Sequence, residues 1–242
     1  MPKFFVDKSD IKNNNIYIRG DSVNHIKNVL RLTIGDTLTV CDGDGYDYLA
    51  VISKEPSDCI EARVLSISDS NTEPSVDITL YQGVPKGSKM DLIIQKNVEL
   101  GVKRIVPVIC ERTIVKLDKR DVQKKIDRWN KIAVAAAKQS GRGIIPSVHD
   151  PVLLVDAITM AKKSDLSLIP YEKEKERKLK DVLKAQSVKD VSVFIGPEGG
   201  FSEEEISIAV ENGVLPVTLG NRIFRTETAS IYMTSIIIYE LD

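Results

Sequence analysis

The spacing of apolar residues changes near residue 70. Before it, "DTLTVCDGDGYDYLAVIS" alternates apolar and polar positions on both sides of two Asp-Gly pairs, which predicts two strands and a hairpin. "CIEARVLSI" alternates again and predicts a further strand. One stretch, "SVNHIKNVLRL", repeats at helical spacing and sets Val23, Ile26, Val29 and Leu30 near one face. The run "SDSNTEPS", residues 68–75, is polar, contains Pro and lacks periodicity, so it reads as a linker. Beyond it, apolar strand patterns alternate with helical ones. "DITLYQGV", "RIVPVI", "DLSLIPYE", "VSVFIG" and "LPVTLG" predict strands, with Pro107 expected at an edge or bulge. "KMDLIIQKNVELGV" carries Met90, Ile93, Ile94 and Val98 on one helical stripe and ends at Gly101, a predicted C-cap. "DVQKKIDRWNKIAVAAAKQS" predicts a long helix. Strand–helix alternation is the signature of a parallel α/β sheet. The most apolar run, "SIYMTSIIIY", is too short for the roughly 20 residues that span a bilayer and predicts a buried C-terminal helix.

Composition narrows the class. A chain of 242 residues with 42% hydrophobic content can bury a sizeable core. The net charge of −1 neither demands nor excludes a polyanionic partner. Cys41, Cys59 and Cys110 are scattered and odd in number, which argues against a disulfide framework and fits a reducing cytoplasm. His25 and His149 have no neighbours at metal-ligand spacing, so no metal is expected. The first ten residues lack the apolar core of a signal peptide, and no membrane association is expected.

The candidate chemistry lies in two loops. In "FIGPEGGFSEEEI" a strand leads through Gly196, Pro197, Glu198, Gly199 and Gly200 into a helix opened by a Ser202–Glu205 capping box. The loop lacks the lysine of a phosphate-binding P-loop and the spacing of a dinucleotide fingerprint, which also disfavours a nicotinamide-dependent dehydrogenase. Glu203, Glu204 and Glu205 place negative charge where a phosphate would sit. Two readings remain: a strand-to-helix turn needing unusual φ angles, or a backbone wrapped closely around a neutral or cationic ligand. "LGNRIFRTETA" follows another predicted strand and opens the last helix; Thr226 can cap that helix, which leaves Gly220 and two arginines without a structural account. Two such loops after parallel strands can converge on one crevice.

Together these motifs resemble the RsmE-type ribosomal RNA methyltransferases of the SPOUT superfamily. "KGSKMDLIIQKNVELGV", "ERTIVK", "RWNKIAVAAAKQSGR" and "NHIKNVLRLTIGD" match the family pattern too, so the resemblance covers nearly the whole chain. It implies an α/β fold: a C-terminal SPOUT trefoil-knotted parallel-sheet domain (75–242) after a small N-terminal PUA-like RNA-binding β-barrel (1–70). It implies S-adenosylmethionine (SAM) as cofactor, methylation of uridine N3 in 16S rRNA of the small ribosomal subunit, and a homodimer. The cofactor loops would comprise Leu168, Ile169, Pro170 and Tyr171; Gly196, Pro197, Glu198, Gly199 and Gly200; and Leu219, Gly220, Asn221, Ile223, Arg225, Thr226 and Ala229. Arg225 is the candidate cation for charge developing on the uracil oxygens, with Glu227 or Glu198 positioning it or assisting proton removal. A structural Arg225–Glu227 pair is the plainer alternative.

RNA contacts are expected from Lys3, Arg19, Arg31, Arg112, Gln139 and Arg142. Lys3 departs from the family pattern, which has Arg there, and loses bidentate phosphate contact. Residues 116–142 hold nine basic side chains against three acidic ones, a local +6, which suits phosphate contacts or a solvated helix face. Residues 1–70 hold eight basic against eleven acidic residues, so the first domain is not simply an electrostatic RNA clamp. The competing functions are a SPOUT enzyme acting on another target, such as a tRNA ribose 2′-hydroxyl, and a non-catalytic RNA-binding assembly factor.

Overall fold

The computed structural model describes residues 3–115, 119–184 and 188–242. Lys116 and Asp118 of the basic stretch lie outside these residues, as do the side chains of Lys119, Arg120 and Asp121. The chain forms two compact units: Met1–Glu73 with Ala137–Ile145, and Pro74–Ala136 with Pro146–Asp242.

In the first unit, β1 (Lys3–Phe5), β2 (Ile11–Lys12), β3 (Asn15–Arg19), β4 (Thr37–Cys41), β5 (Tyr46–Lys54) and β6 (Cys59–Asp69) form one curled sheet, a half-barrel ordered β1-β4-β5-β6-β3-β2. Alternation along the strands buries Ile16, Ile18, Leu38, Val40, Ala50, Ile52, Ile60 and Ala62 on one face. The predicted hairpin is β4–β5, with the Asp42 carboxylate accepting from the N–H groups of Asp44 and Tyr46 in its turn. The helical stretch is a single turn, α1 (Asp21–Asn24), that widens into a π-type turn over His25–Val29. Leu30 N–H reaches back five residues to the His25 carbonyl, and the wider turn swings Val29 out to 62% exposure. Val23 and Ile26 stay buried, so Val29 leaves the face that helical spacing assigned to it. The presumed linker is not a free connection. Ser70, Thr72 and Glu73 bind Lys3, the Gly143 amide and the Arg142 guanidinium.

The second unit contains β7 (Asp77–Gly83), α2 (Lys89–Glu99), β8 (Arg104–Ile109), β9 (Ser147–Val148), β10 (Val152–Leu153), α4 (Leu154–Ala161), β11 (Leu166–Pro170), α5 (Leu179–Lys184), β12 (Asp190–Ile195), α6 (Glu203–Glu211), β13 (Leu215–Val217) and α7 (Thr226–Leu241). Helix α3 (Lys119–Ser140) lies in the chain between β8 and β9. The sheet is parallel throughout and ordered β10-β8-β7-β12-β11-β13, with β9 also paired to β8. Pro107 lies on an interior strand. Its lack of an N–H is tolerated because β9 pairs with β8 at Arg104–Ile105 and β10 at Val108–Ile109, which leaves Pro107 in the interval between them. Tyr81 of β7 stacks on Phe194 of β12 at 4.6 Å, fastening the two central strands.

From the edge strand β13 the chain returns inward, and α7 packs over β12, β7 and α2. The parallel sheet with this return is the SPOUT arrangement that the resemblance implies. Only one face of α7 is buried. Met233 and Ile237 lie there beside Thr226, Ser230 and Thr234, while Ile231 and Ile236 are half-buried and Tyr239 is 86% exposed. The polar positions fit because Asn97 of α2 donates to Ser230 Oγ at 2.7 Å and accepts from Thr234 Oγ1 at 2.8 Å. Among the described residues no helix is long and apolar enough to cross a membrane.

Candidate functional site

All strands of the second sheet run the same way, so the loops after β7, β11, β12 and β13 emerge at one edge. Sheet order reverses between β7 and β12, the switch point where α/β sheets open a crevice. A cavity of about 510 Å³ lies at this edge, walled by Pro170–Glu172 and Lys175, by Ile195–Phe201, and by Thr218–Thr226 with Ala229.

The glycine loop is shaped from both ends. At its start, Gly83 closes β7 so tightly under Pro197 that an added Cβ would lie 2.6 Å from the proline nitrogen. At its end, Gly200 takes φ +68°, and its N–H closes a turn on the Pro197 carbonyl at 2.9 Å. The capping box forms as the sequence predicts: Ser202 Oγ accepts from Glu205 N–H, and Glu205 Oε2 accepts from Ser202 N–H. Glu205 is buried, and its second oxygen accepts from Glu111 N–H at 2.8 Å. That bond brings Arg112 alongside, where its guanidinium donates to the Gly199 carbonyl at 2.8 Å. Arg112, expected at RNA, therefore braces the glycine loop.

The loop after β13 is fixed differently. Arg225 occupies the N-cap position of α7 without a side-chain cap, and Thr226 is already helical. The Thr226 hydroxyl donates to the Gly196 carbonyl at 2.6 Å and accepts from Gln82 Nε2 at 2.9 Å. It ties three elements together instead of capping the helix. The Arg225 side chain is exposed at the cavity and has no ion pair or hydrogen bond among the described residues, so the pair with Glu227 is absent. Glu227 is instead 4.0 Å from Lys89 Nζ. Lys89 also donates to Glu198 at 2.8 Å, and Glu198 accepts the Lys86 N–H. Burial pushes the Glu198 carboxyl up. The Lys89 ammonium and the backbone N–H groups outweigh it and hold the group below its ordinary value.

Of the expected cofactor residues, Leu168 and Ile169 are fully buried in the sheet and do not face the cavity; the strand turns its wall-forming side only at Pro170 and Tyr171. The other expected cofactor residues line it. Lys89 and the fully buried Gln82 were not foreseen. A lysine in a helix's first turn, where the dipole disfavours it, is the one sequence signal that could have found Lys89. Burial pushes the Cys41 thiol up to about 11 and Cys110 to about 12, so neither supplies a thiolate near neutrality. Among the described residues no group of three or more His, Cys, Asp or Glu could hold a metal ion.

Two expected RNA contacts are committed inside the first unit. The Arg142 side chain is 3% exposed and ion-paired to Glu73. Lys3 is 15% exposed, paired to Asp47 at 2.9 Å, and donates to the Gly141 carbonyl. Arg19, Arg31 and Gln139 are exposed, Arg31 with φ +55°.

Residues 72–238 match the profile of an RNA methyltransferase domain, and residues 18–65 that of an RNA methyltransferase PUA domain. The chain is 34% identical to ribosomal RNA small subunit methyltransferase E of Bacillus subtilis, over 93% of this chain and 90% of that protein. It is also 34% identical to the Aquifex aeolicus protein of the same name, over 93% and 95%. The crystal structure of the Neisseria gonorrhoeae protein of that name, bound to S-adenosyl methionine, superposes with a TM-score of 0.84 at 33% identity, covering 98% of this chain and 96% of that one.

Proposed function

We propose that this chain, which belongs to the ribosomal RNA small subunit methyltransferase E family, methylates N3 of a uridine in the 16S rRNA of the small subunit, using SAM. The observation that carries the reading is the cavity at the switch point, which holds Arg225, unpaired among the described residues, beside two glycine-bearing loops. The residues fit the cofactor. The volume suits a ligand of nucleoside size, and the glycine loop offers backbone groups at close approach. Glu172 and Glu198 line the wall together with Lys89, Lys175, Arg222 and Arg225, and the glycine loop itself carries no phosphate-binding lysine. When bound, SAM supplies an electrophilic methyl group that needs no metal.

The chain's part is positioning and electrostatics. The Gly196–Gly200 loop and the Leu219–Ile223 segment hold the cofactor against the crevice, which converts a bimolecular encounter into an oriented one. As the N3 proton leaves, negative charge spreads onto the flanking uracil oxygens. Arg225 presents a free guanidinium to that charge, and this raises the rate because the charge develops in the transition state. Among the described residues neither Glu227 nor Glu198 is paired with Arg225, which leaves them the role of taking the proton.

The first unit, with exposed Arg19, Arg31 and Gln139, serves RNA binding, and the protein works in the cytoplasm. The α7 surface of Thr228, Ile231, Tyr232, Ser235, Ile236 and Tyr239 is the homodimer contact, which sedimentation velocity of a Tyr239→Glu variant tests. The activity is tested by incubating the protein with methyl-labelled SAM and small subunits lacking the modification, then digesting the RNA. Label in N3-methyluridine is expected; label on a ribose would move the target, and none would sink the reading.

A further inference from the structure

Lys89 stands apart from the other residues that line the cavity. They come from β11 and β12 with the loops that follow them, and from the segment after β13 and the first turn of α7; Lys89 comes from the first turn of α2. A cation there opposes the helix dipole, so the position is unfavourable unless carboxylates offset it. Two do. Lys89 Nζ lies 2.8 Å from Glu198 Oε1 and 4.0 Å from Glu227 Oε2. The first contact is a hydrogen bond; the second is an ion pair too long to be one. Glu227 Oε2 is buried and has no hydrogen-bond partner among the described residues, and the cation facing it is the ammonium already bound to Glu198. Glu198 belongs to the glycine loop, and Glu227 lies two residues after Arg225 in the first turn of α7.

We propose that Lys89 is a positioning residue for the cofactor: one counter-ion shared by two carboxylates, which holds the Glu198 loop against the start of α7 and fixes the spacing of the two walls. This rests on the cavity being the SAM site. Glu198 is also anchored by Lys86 N–H, at 3.1 and 3.3 Å to its two oxygens, so its loop does not depend on Lys89 alone. What Lys89 adds is neutralisation. Without it two carboxylates face each other with no cation between them, and like charges push the walls apart.

The test is calorimetric titration of SAM into the full-length protein without RNA. Lys89→Gln should weaken SAM binding about tenfold, and Glu198→Gln alone by roughly twofold. The decisive sign is in the double variant: adding Glu198→Gln to Lys89→Gln should recover about threefold, because it removes the repulsion. Lys89→Arg, which keeps the charge, should stay within about threefold of the parent. In turnover, Lys89→Gln should raise KM for SAM and leave kcat within about threefold at saturation. A double variant no better than Lys89→Gln would overturn the shared counter-ion, and so would a collapse of kcat at saturating SAM. A parent protein that binds SAM but methylates no RNA would sink the rRNA reading and leave the affinity comparison standing; one that binds no SAM would sink both.

Discussion

Arg142 and Arg225 both lie in family motifs, in Gly- and Arg-bearing segments next to a helix end. They finish in opposite situations. Arg142 is buried against Glu73, in a segment whose Gly143 and Ile144 N–H groups also bond the Glu73 carboxylate. Arg225 projects from a helix start into a cavity with its guanidinium unpaired among the described residues. A motif says that a residue matters. Burial and partners say whether it matters to the fold or to the chemistry, because a charge already neutralised cannot also be offered to a substrate.

The comparison breaks most easily at Arg142. Arg142→Ala would leave Glu73 a half-buried carboxylate without its counter-ion, and the expected loss is about 3–5 kcal/mol of unfolding free energy. Urea unfolding measures it. Unchanged stability with weakened RNA binding would return Arg142 to the RNA surface.

Arg225→Ala should do the reverse. Nothing among the described residues depends on its side chain, so the melting midpoint should hardly move, while kcat falls roughly 100- to 1000-fold, the cost of removing one oxyanion donor. Turnover near the parent level, with the fold intact, would remove Arg225 from the chemistry.

Much of this was legible in the chain. The alternation of strands and helices located the second sheet, and the glycine loops located the cavity, because strand ends and capping boxes are local signals. What was hidden was the choice of partner. Glu73 lies 69 residues from Arg142, and Glu198 lies 109 from Lys89. Periodicity reports which face a residue occupies, not which distant charge meets it there. The exposure of Val29 was hidden for another reason: a five-residue turn breaks the helical count that placed it. Leu168 and Ile169 were assigned to the cavity by resemblance, whereas strand β11 keeps them within the sheet.

Glu198 sits between the two arginines in kind: it is committed to partners, yet it stands in the cavity wall. Its carboxyl is held below the ordinary glutamate value because Lys89 and the backbone N–H groups outweigh the opposing burial. A depressed folded value means that its contribution is complete above about pH 4.3, the ordinary range. It is lost as pH falls through the folded value, when protonation releases Lys89. SAM affinity should therefore carry no Glu198 contribution to any pH dependence above the ordinary glutamate range, and should decline only as pH falls below that range. Glu198→Gln should lack that decline and be weaker than the parent only at the higher pH. A SAM affinity that falls with acid equally in parent and Glu198→Gln would assign the decline to another group and leave Glu198 a bystander in the wall.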